Sequence, residues 1–350
     1  MSPSPVLVMG CGLIGTSLAL ALTEAGVEVH LDDVLDSNVE LAVARGAGTA
    51  EPVDNPAVVV VAVPPTEVAA CVARALSTWP DAAVTDVASV KAGLQGEISA
   101  LQGSERYVGS HPMAGSERSG PMAAYARLFE GRPWAVTSAA GSDRAAVAQV
   151  VEMAELVGAV PLEMEAGAHD RAVAVVSHVP HVLAVLTAAR LHGAPSDHLA
   201  LSGPGLRDVT RIAGSDIALW QEILGANATE VRNVLQHVRL DLERVIDAIG
   251  TDTARLGEVL RSGQDGTKLI PGKHGEDIAE LATVFVSVPD EPGELSRLMA
   301  HTGESGVNIE DIRIDHELGR RVGQVEIAVV AAQAATLVEA LTARGWSAYS

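Results

Sequence analysis

The stretch GSHPMAGSERSG (Gly109–Gly120) surrounds His111 with three glycines, a proline, a glutamate and an arginine. Neither a helix nor a core strand favours that composition. An imidazole in so permissive a backbone is suited to take a proton at neutral pH while ligands approach it closely. Upstream, TDVASVKAG brings Ser89 and Lys91 to the end of an apolar run. If the two runs are neighbouring strands of a parallel sheet, Ser89 and His111 share its C-terminal edge, where open α/β sheets bind ligands.

Two further groups of residues could act on a small molecule. SHVPHVL carries His178 and His181 three apart, hence on one face of a helix. No carboxylate or cysteine set accompanies them, so no metal is expected. SGPGLRDVTRIAGSD places Arg207 and Arg211 on one helix face after a Gly-Pro-Gly turn. Like charges four apart repel unless an anion lies between them or carboxylates such as Asp208 neutralise them. The pair therefore reads as an anion site or as a solvated face.

The N-terminal VLVMGCGLIGTSLALAL contains Gly10-x-Gly12-x-x-Gly15 directly after a strand-like run, with Leu13 and Ile14 opening a helix. Such glycines allow a tight turn, close approach of a pyrophosphate, and close packing of helix on strand. Roughly twenty residues on, an acid should hold a ribose 2′-OH. Asp32 or Asp33 fills that place, Asp33 by preference. No arginine follows directly to hold a 2′-phosphate, so NAD is expected over NADP. Val63, Pro64 and Ser89, after the third and fourth strands, complete the expected cofactor contacts, and Cys11 is expected to have no chemical role.

These residues need a scaffold, and the pattern describes one. VLVMG, VEVHLDD, AVVVVAVPP, AAVTDVAS, RYVGSHP, PWAVTS and AVPLEME read as strands alternating with Ala/Leu-rich helices, which implies a mainly parallel sheet covered on both faces. From about Ala168 the strand signal gives way to long segments of helical period. Gly263–Asp277 reads as a linker. Strand, helix, two strands, helix and a short final strand close the chain.

At 350 residues, two or three domains are expected. Apolar residues at 48% against 20% charged mark a globular protein. A net charge of −21 repels phosphate backbones, so nucleic acid is not an expected partner. Two cysteines exclude a disulfide framework and fit a reducing cytoplasm. The N-terminus lacks the basic region of a signal peptide. The longest continuous apolar runs fall short of the ~20 residues that span a bilayer. A cytoplasmic protein with no membrane partner is expected.

Ser89-Val-Lys91, His111-Pro-Met-Ala-Gly-Ser116-Glu117, Ser177-His178-x-Pro-His181 and Arg207-Asp208-x-Thr210-Arg211-x3-Ser215-Asp216 follow the glycine turn in this order. The whole resembles the prephenate/arogenate dehydrogenase family of tyrosine biosynthesis, from residue 1 to about residue 260. VPDEPGELSRLMAHTGESGVNIEDIRI resembles an ACT domain, a small βαββαβ module that binds amino acids as effectors. The resemblance implies an α/β protein in parts: a Rossmann-type parallel-sheet domain (1–165), an all-helical substrate and dimerisation domain (166–262), a linker (263–278) and an ACT domain (279–350).

The resemblance also implies roles. His111 accepts the proton of the ring hydroxyl and Ser89 orients it. Arg211 binds the ring carboxylate, and His181 helps to position the substrate. Ser116, Ser177 and Arg207 join the substrate site, while Glu117 and Asp208 flank its entrance. Arg207 stands where some relatives have lysine, which keeps the charge and changes the shape. NAD is the implied cofactor, prephenate or arogenate the substrate, and a homodimer the assembly. Tyrosine is the first candidate effector and phenylalanine the second, bound near Pro292, Gly293 and Asn308. Two rivals carry less. A β-hydroxyacid dehydrogenase would use a lysine of the helical domain, yet no lysine occurs from Ala166 to Gly266. A non-catalytic NAD- and amino-acid-sensing regulator would not need the Ser89, His111 and Arg211 set.

Overall fold

The structure is a computed structural model and describes residues 3–115, 118–270, 281–316 and 322–350. It divides into two units, Met1–Arg239 and Leu240–Ser350.

In the first unit the seven apolar runs become β1 (Val6–Met9), β2 (Val29–Asp32), β3 (Val58–Val61), β4 (Ala83–Asp86), β5 (Tyr107–Pro112), β6 (Pro133–Thr137) and β7 (Val160–Met164). The helices between them are α1 (Leu13–Glu24), α2 (Asp36–Ala44), α3 (Val68–Thr78), α4 (Ala92–Ile98) and α5 (Arg144–Leu156). The strands form one sheet in the order β2-β1-β3-β4-β5-β6-β7. All neighbours are parallel except β5 and β6. That reversal has a local cause: among the described residues between β5 and β6 there are short 3₁₀ turns and no crossover helix to carry the chain back to the sheet's other end.

Strand alternation builds two cores. Val6, Val8, Val58 and Val60 pack with Leu18, Leu22, Trp134 and Val150 on one face of the sheet. Leu7, Met9, Val59 and Val61 pack with Val68, Val72, Leu76 and Ile98 on the other. Each such side chain contributes about 1.5–3 kcal/mol by leaving water. The strand order reverses between β1 and β3, so the crevice that binds ligands in such sheets opens at their C-terminal ends.

After β7 the chain is helical: α6 (Ala166–Val173), α7 (Val179–Ala189), α8 (Ser196–Leu199), α9 (Pro204–Thr210), α10 (Ile217–Ala226) and α11 (Ala228–Ala248), the last crossing into the second unit. A π-helical turn, Ala174–His178, joins α6 to α7. Pro180 offers no N–H to the carbonyl four residues back and its ring crowds that carbonyl, so the helix widens there. By length and composition the run Ala166–Ala189 is apolar enough to cross a bilayer. Its buried residues include His169, Asp170, His178 and His181, which face the rest of this unit. The apolar runs counted in the sequence were interrupted by these polar residues, whereas the helix averages over them.

In the second unit α12 (Thr253–Thr267) is capped by Asp252, whose Oδ1 accepts from the amide of Arg255 at 3.0 Å. It extends past Gly263, where the linker was expected to begin; Gly263 and Gly266 weaken a helix without ending it. Residues 271–280 of that linker lie outside the described residues. β8 (Leu281–Pro289), α13 (Glu294–Glu304), β9 (Asp311–His316), β10 (Val322–Val330), α14 (Ala331–Ala343) and β11 (Ser347–Tyr349) follow. The four strands form an antiparallel sheet in the order β11-β8-β10-β9. Its core joins Val284, Val286 and Ile327 to Leu298, Leu337 and Leu341.

Candidate active site

The turn after β1 shows why each glycine is needed. Gly10 has φ +105°, and a Cβ there would lie 2.3 Å from the Ala62 carbonyl oxygen at the end of β3. A Cβ on Gly15 would lie 2.0 Å from the Gly10 carbonyl oxygen. Gly12, by contrast, faces open space at the N-terminus of α1. Two glycines pack the turn and one leaves bare amides exposed, which is the cradle a pyrophosphate requires. Leu13 and Ile14 form the first turn of α1 and pack against the core.

Asp33 sits beside this turn. Its Oδ2 accepts from the Cys11 amide at 2.6 Å and its Oδ1 from the Leu35 amide at 2.9 Å. Asp32 turns to the other face and pairs with Arg74 at 2.9 Å. Burial, then Asp33 and Asp32, push the Cys11 thiol up to about 12, so it stays protonated and inert. Val63 and Pro64 follow β3, and Ser89 follows β4, at the same edge of the sheet.

His111 lies on the part of β5 that runs beyond β4 and pairs with β6, opposite Ala135. Its Nδ1 is 3.0 Å from Nε2 of His169 on α6. Burial first, then His169, Lys91 and His178, hold its imidazolium well below the ordinary 6.5. The ring is therefore neutral at physiological pH. Among the described residues Ser89 makes no side-chain hydrogen bond. Lys91 does not face a ligand: its ammonium is fully buried on the Asp86 carboxylate, which also accepts from Tyr107 Oη at 2.6 Å. Gly109 makes room for it, since a Cβ there would lie 3.2 Å from Lys91 Cδ. Strand-end position alone could not distinguish a lysine turned outward from one folded into the core.

His178 and His181 share the buried face of the α6–α7 run, as their spacing requires. Both flank Trp220 of α10: His181 stacks on it at 3.5 Å, and His178 meets it edge-on at 6.1 Å. Burial depresses His178 to about 4, despite Asp170 nearby, and lowers His181 as well. Ser177 lies half-buried in the π turn. Arg207 and Asp208 project from α9 and Arg211 from the 3₁₀ turn that follows; all three are exposed. Ser116 and Glu117 lie outside the described residues.

Sequence reasoning missed His169 and Asp170. The Asp170 carboxylate accepts from His169 Nδ1 at 2.8 Å and from the amides of Lys91 and Ala92 at 2.9 and 2.8 Å. Burial alone would raise this carboxyl; the hydrogen bonds from His169, Ala92 and Lys91 outweigh it and hold it below the usual range. Asn227 Nδ2 donates to the Asp170 carbonyl at 2.8 Å and lies 3.2 Å from His178 Nδ1. A signal existed: helical period puts His169 and Asp170 with Ala166 and Val173 on the face that must be buried.

A dinucleotide cradle after β1 and a neutral, half-buried histidine on β5, at the same edge of one open sheet, define the class, a nicotinamide-dependent dehydrogenase. Comparison with known proteins narrows it. Residues 18–163 match the family model "Prephenate dehydrogenase, nucleotide-binding domain", and residues 165–262 match "Prephenate dehydrogenase, dimerization domain". The probable prephenate dehydrogenase NovF of Streptomyces niveus is 37% identical, covering 98% of this chain and 99% of its own. The cyclohexadienyl dehydrogenase of Zymomonas mobilis is 32% identical over 70% of this chain and 88% of its own. The crystal structure of prephenate dehydrogenase from A. aeolicus, in complex with hydroxyphenyl propionate and NAD+, is 28% identical with a TM-score of 0.69, covering 76% of this chain and 98% of that one. The chain belongs to the prephenate dehydrogenase family.

Proposed function

We propose that this chain catalyses the NAD-dependent oxidative decarboxylation of prephenate to 4-hydroxyphenylpyruvate, a step of tyrosine biosynthesis. The cofactor is NAD, which when bound accepts the hydride. Gly10, Gly12, Leu13, Ile14, Gly15, Asp33, Val63, Pro64 and Ser89 hold it. His111 Nε2 takes the proton of the ring hydroxyl as the hydride leaves the same carbon. The ring then expels its carboxylate as CO2 and becomes aromatic, and the proton returns from His111 to the phenol oxygen. Ser89 orients the reacting hydroxyl, and Arg211 binds the ring carboxylate. His181, Arg207, Ser116 and Ser177 complete the substrate site, with Glu117 and Asp208 at its entrance.

The observation that carries the reading is the neutral His111 ring at the sheet edge, with Nδ1 engaged by His169. A base must be unprotonated to act, and this one is kept so by its burial. The test is NADH production from prephenate and, separately, from arogenate. Oxidation of neither would defeat the reading. Arogenate as the better substrate is the second reading, supported by the relative named for cyclohexadienyl substrates.

The same reading treats residues 1–165, 166–262 and 279–350 as cofactor, substrate and effector domains. A homodimer through the helical segment is supported by the apolar side chains it exposes, Val176, Leu186 and Ile217 among them. The C-terminal βαββαβ order supports an ACT domain, with tyrosine bound near Pro292, Gly293 and Asn308. A cytoplasmic location follows from the proposed biosynthetic role.

A further inference from the structure

The geometry points to His169 and Asp170 as positioning residues that set the tautomer of His111, through a chain of hydrogen bonds from α6 to β5. The inference rests on the reading of His111 as the base. Asp170, ionised and able only to accept, receives Nδ1–H of His169 at 2.8 Å. A neutral His169 then has its lone pair on Nε2, which lies 3.0 Å from Nδ1 of His111. His111 must therefore carry its own proton on Nδ1 to satisfy that contact. Its Nε2 is left with a free lone pair, the form a general base needs.

The anchor of this chain is unusually well held. Asp170 also accepts the amides of Lys91 and Ala92 at the start of α4, and Asn227 ties its carbonyl. Asp170 and His169 are both buried, so no water competes for the proton positions. An isolated imidazole is free to carry its proton on either nitrogen; here, with both rings neutral, one arrangement satisfies every group in the row. Buried carboxylate–imidazole pairs hold tautomers in serine proteases in this way, where replacing the carboxylate by its amide costs roughly 10⁴-fold in kcat with the geometry intact.

The test uses the full-length protein with ¹⁵N-labelled histidine, and two-bond ¹H–¹⁵N spectra that report which ring nitrogen is protonated. Wild type is expected to show His111 protonated on Nδ1. Asp170→Asn should invert both rings, moving the His111 proton to Nε2, and lower kcat at least ~100-fold with KM for NAD unchanged. His169→Gln supplies an amide oxygen that can accept from Nδ1 and should retain roughly tenfold more turnover than His169→Leu. Circular dichroism and melting of each variant separate loss of fold from loss of tautomer. Three outcomes would each overturn the inference: His111 protonated on Nε2 in wild type, near-normal kcat in folded Asp170→Asn, or His169→Gln no better than His169→Leu. Failure of the underlying reading looks different, because His111→Asn would then keep its turnover whatever the spectra show.

Discussion

The imidazole of His181 lies flat on the indole of Trp220, with ring centroids 3.5 Å apart and planes within 3°. One face of the histidine is thus covered. An aromatic pair of this kind contributes about 0.5–1.5 kcal/mol. Trp220→Leu should therefore raise KM for the ring substrate roughly 2- to 10-fold by loosening His181. KM for NAD should stay constant; initial-rate kinetics with each substrate varied in turn will show whether it does.

His111→Asn should lower kcat by about 100-fold or more, the usual loss with a general base, while NAD affinity measured by fluorescence titration stays near wild type. The pH dependence has a definite sign. The active form is the neutral ring, and burial with His169, Lys91 and His178 keeps its protonation well below 6.5. The acid limb of kcat/KM should accordingly lie below pH 6.5. A limb centred at or above 6.5 would mean that another group titrates, or that the site is wetter than the structure implies.

Arg211→Ala should raise KM for prephenate by roughly 10- to 150-fold, the equivalent of a charge-assisted contact of about 1.5–3 kcal/mol. Arg211 is exposed, so its removal should leave the melting temperature nearly unchanged. An equal rise in KM for NAD would make the arginine structural and put the carboxylate site elsewhere.

Asp33 combines two tasks, since the carboxylate proposed to read the ribose also holds the Cys11 and Leu35 amides. Asp33→Ser should narrow the preference for NAD over NADP and also lower the melting temperature. Comparing kcat/KM for both cofactors checks the first effect. Wild-type preference for NADP would show that the acid is not at the ribose.

Tyrosine should inhibit the full-length enzyme, and a chain ending after Lys268 should stay active but lose much of that inhibition. Inhibition depends on the effector favouring one arrangement over another. Equal inhibition of both chains would place tyrosine at the active site.

Acid should also weaken the fold. His178 is depressed to about 4, so an unfolded chain takes up a proton there below about pH 6.5 that the folded one refuses. Stability is complete above 6.5 and falls as pH drops toward 4, by on the order of 3 kcal/mol from this residue. Urea titrations at pH 7.5 and 4.5 measure the difference.

Much of this protein is written in local pattern. The β-branched runs are bounded by turn residues, and those apolar on both faces, such as VLVM and VVVV, call for a sheet covered on both sides. The glycine turn and the acid closing β2 are short-range signals, since the backbone they shape lies within a few residues of them. The spacing of His178 and His181 likewise determined that they share a helix face. Tertiary structure decided what each group faces. Lys91 follows a strand end as a ligand-binding residue would, yet it folds inward because Gly109 leaves space and Asp86 supplies the charge. Of the two acids closing β2, Asp33 meets the turn and Asp32 meets Arg74, a choice made by strand twist and packing. His169 is 58 positions from His111, and nothing near either residue announces the other. Their pairing exists only once α6 packs against the end of β5, because a hydrogen bond depends on distance in space and is blind to separation along the chain.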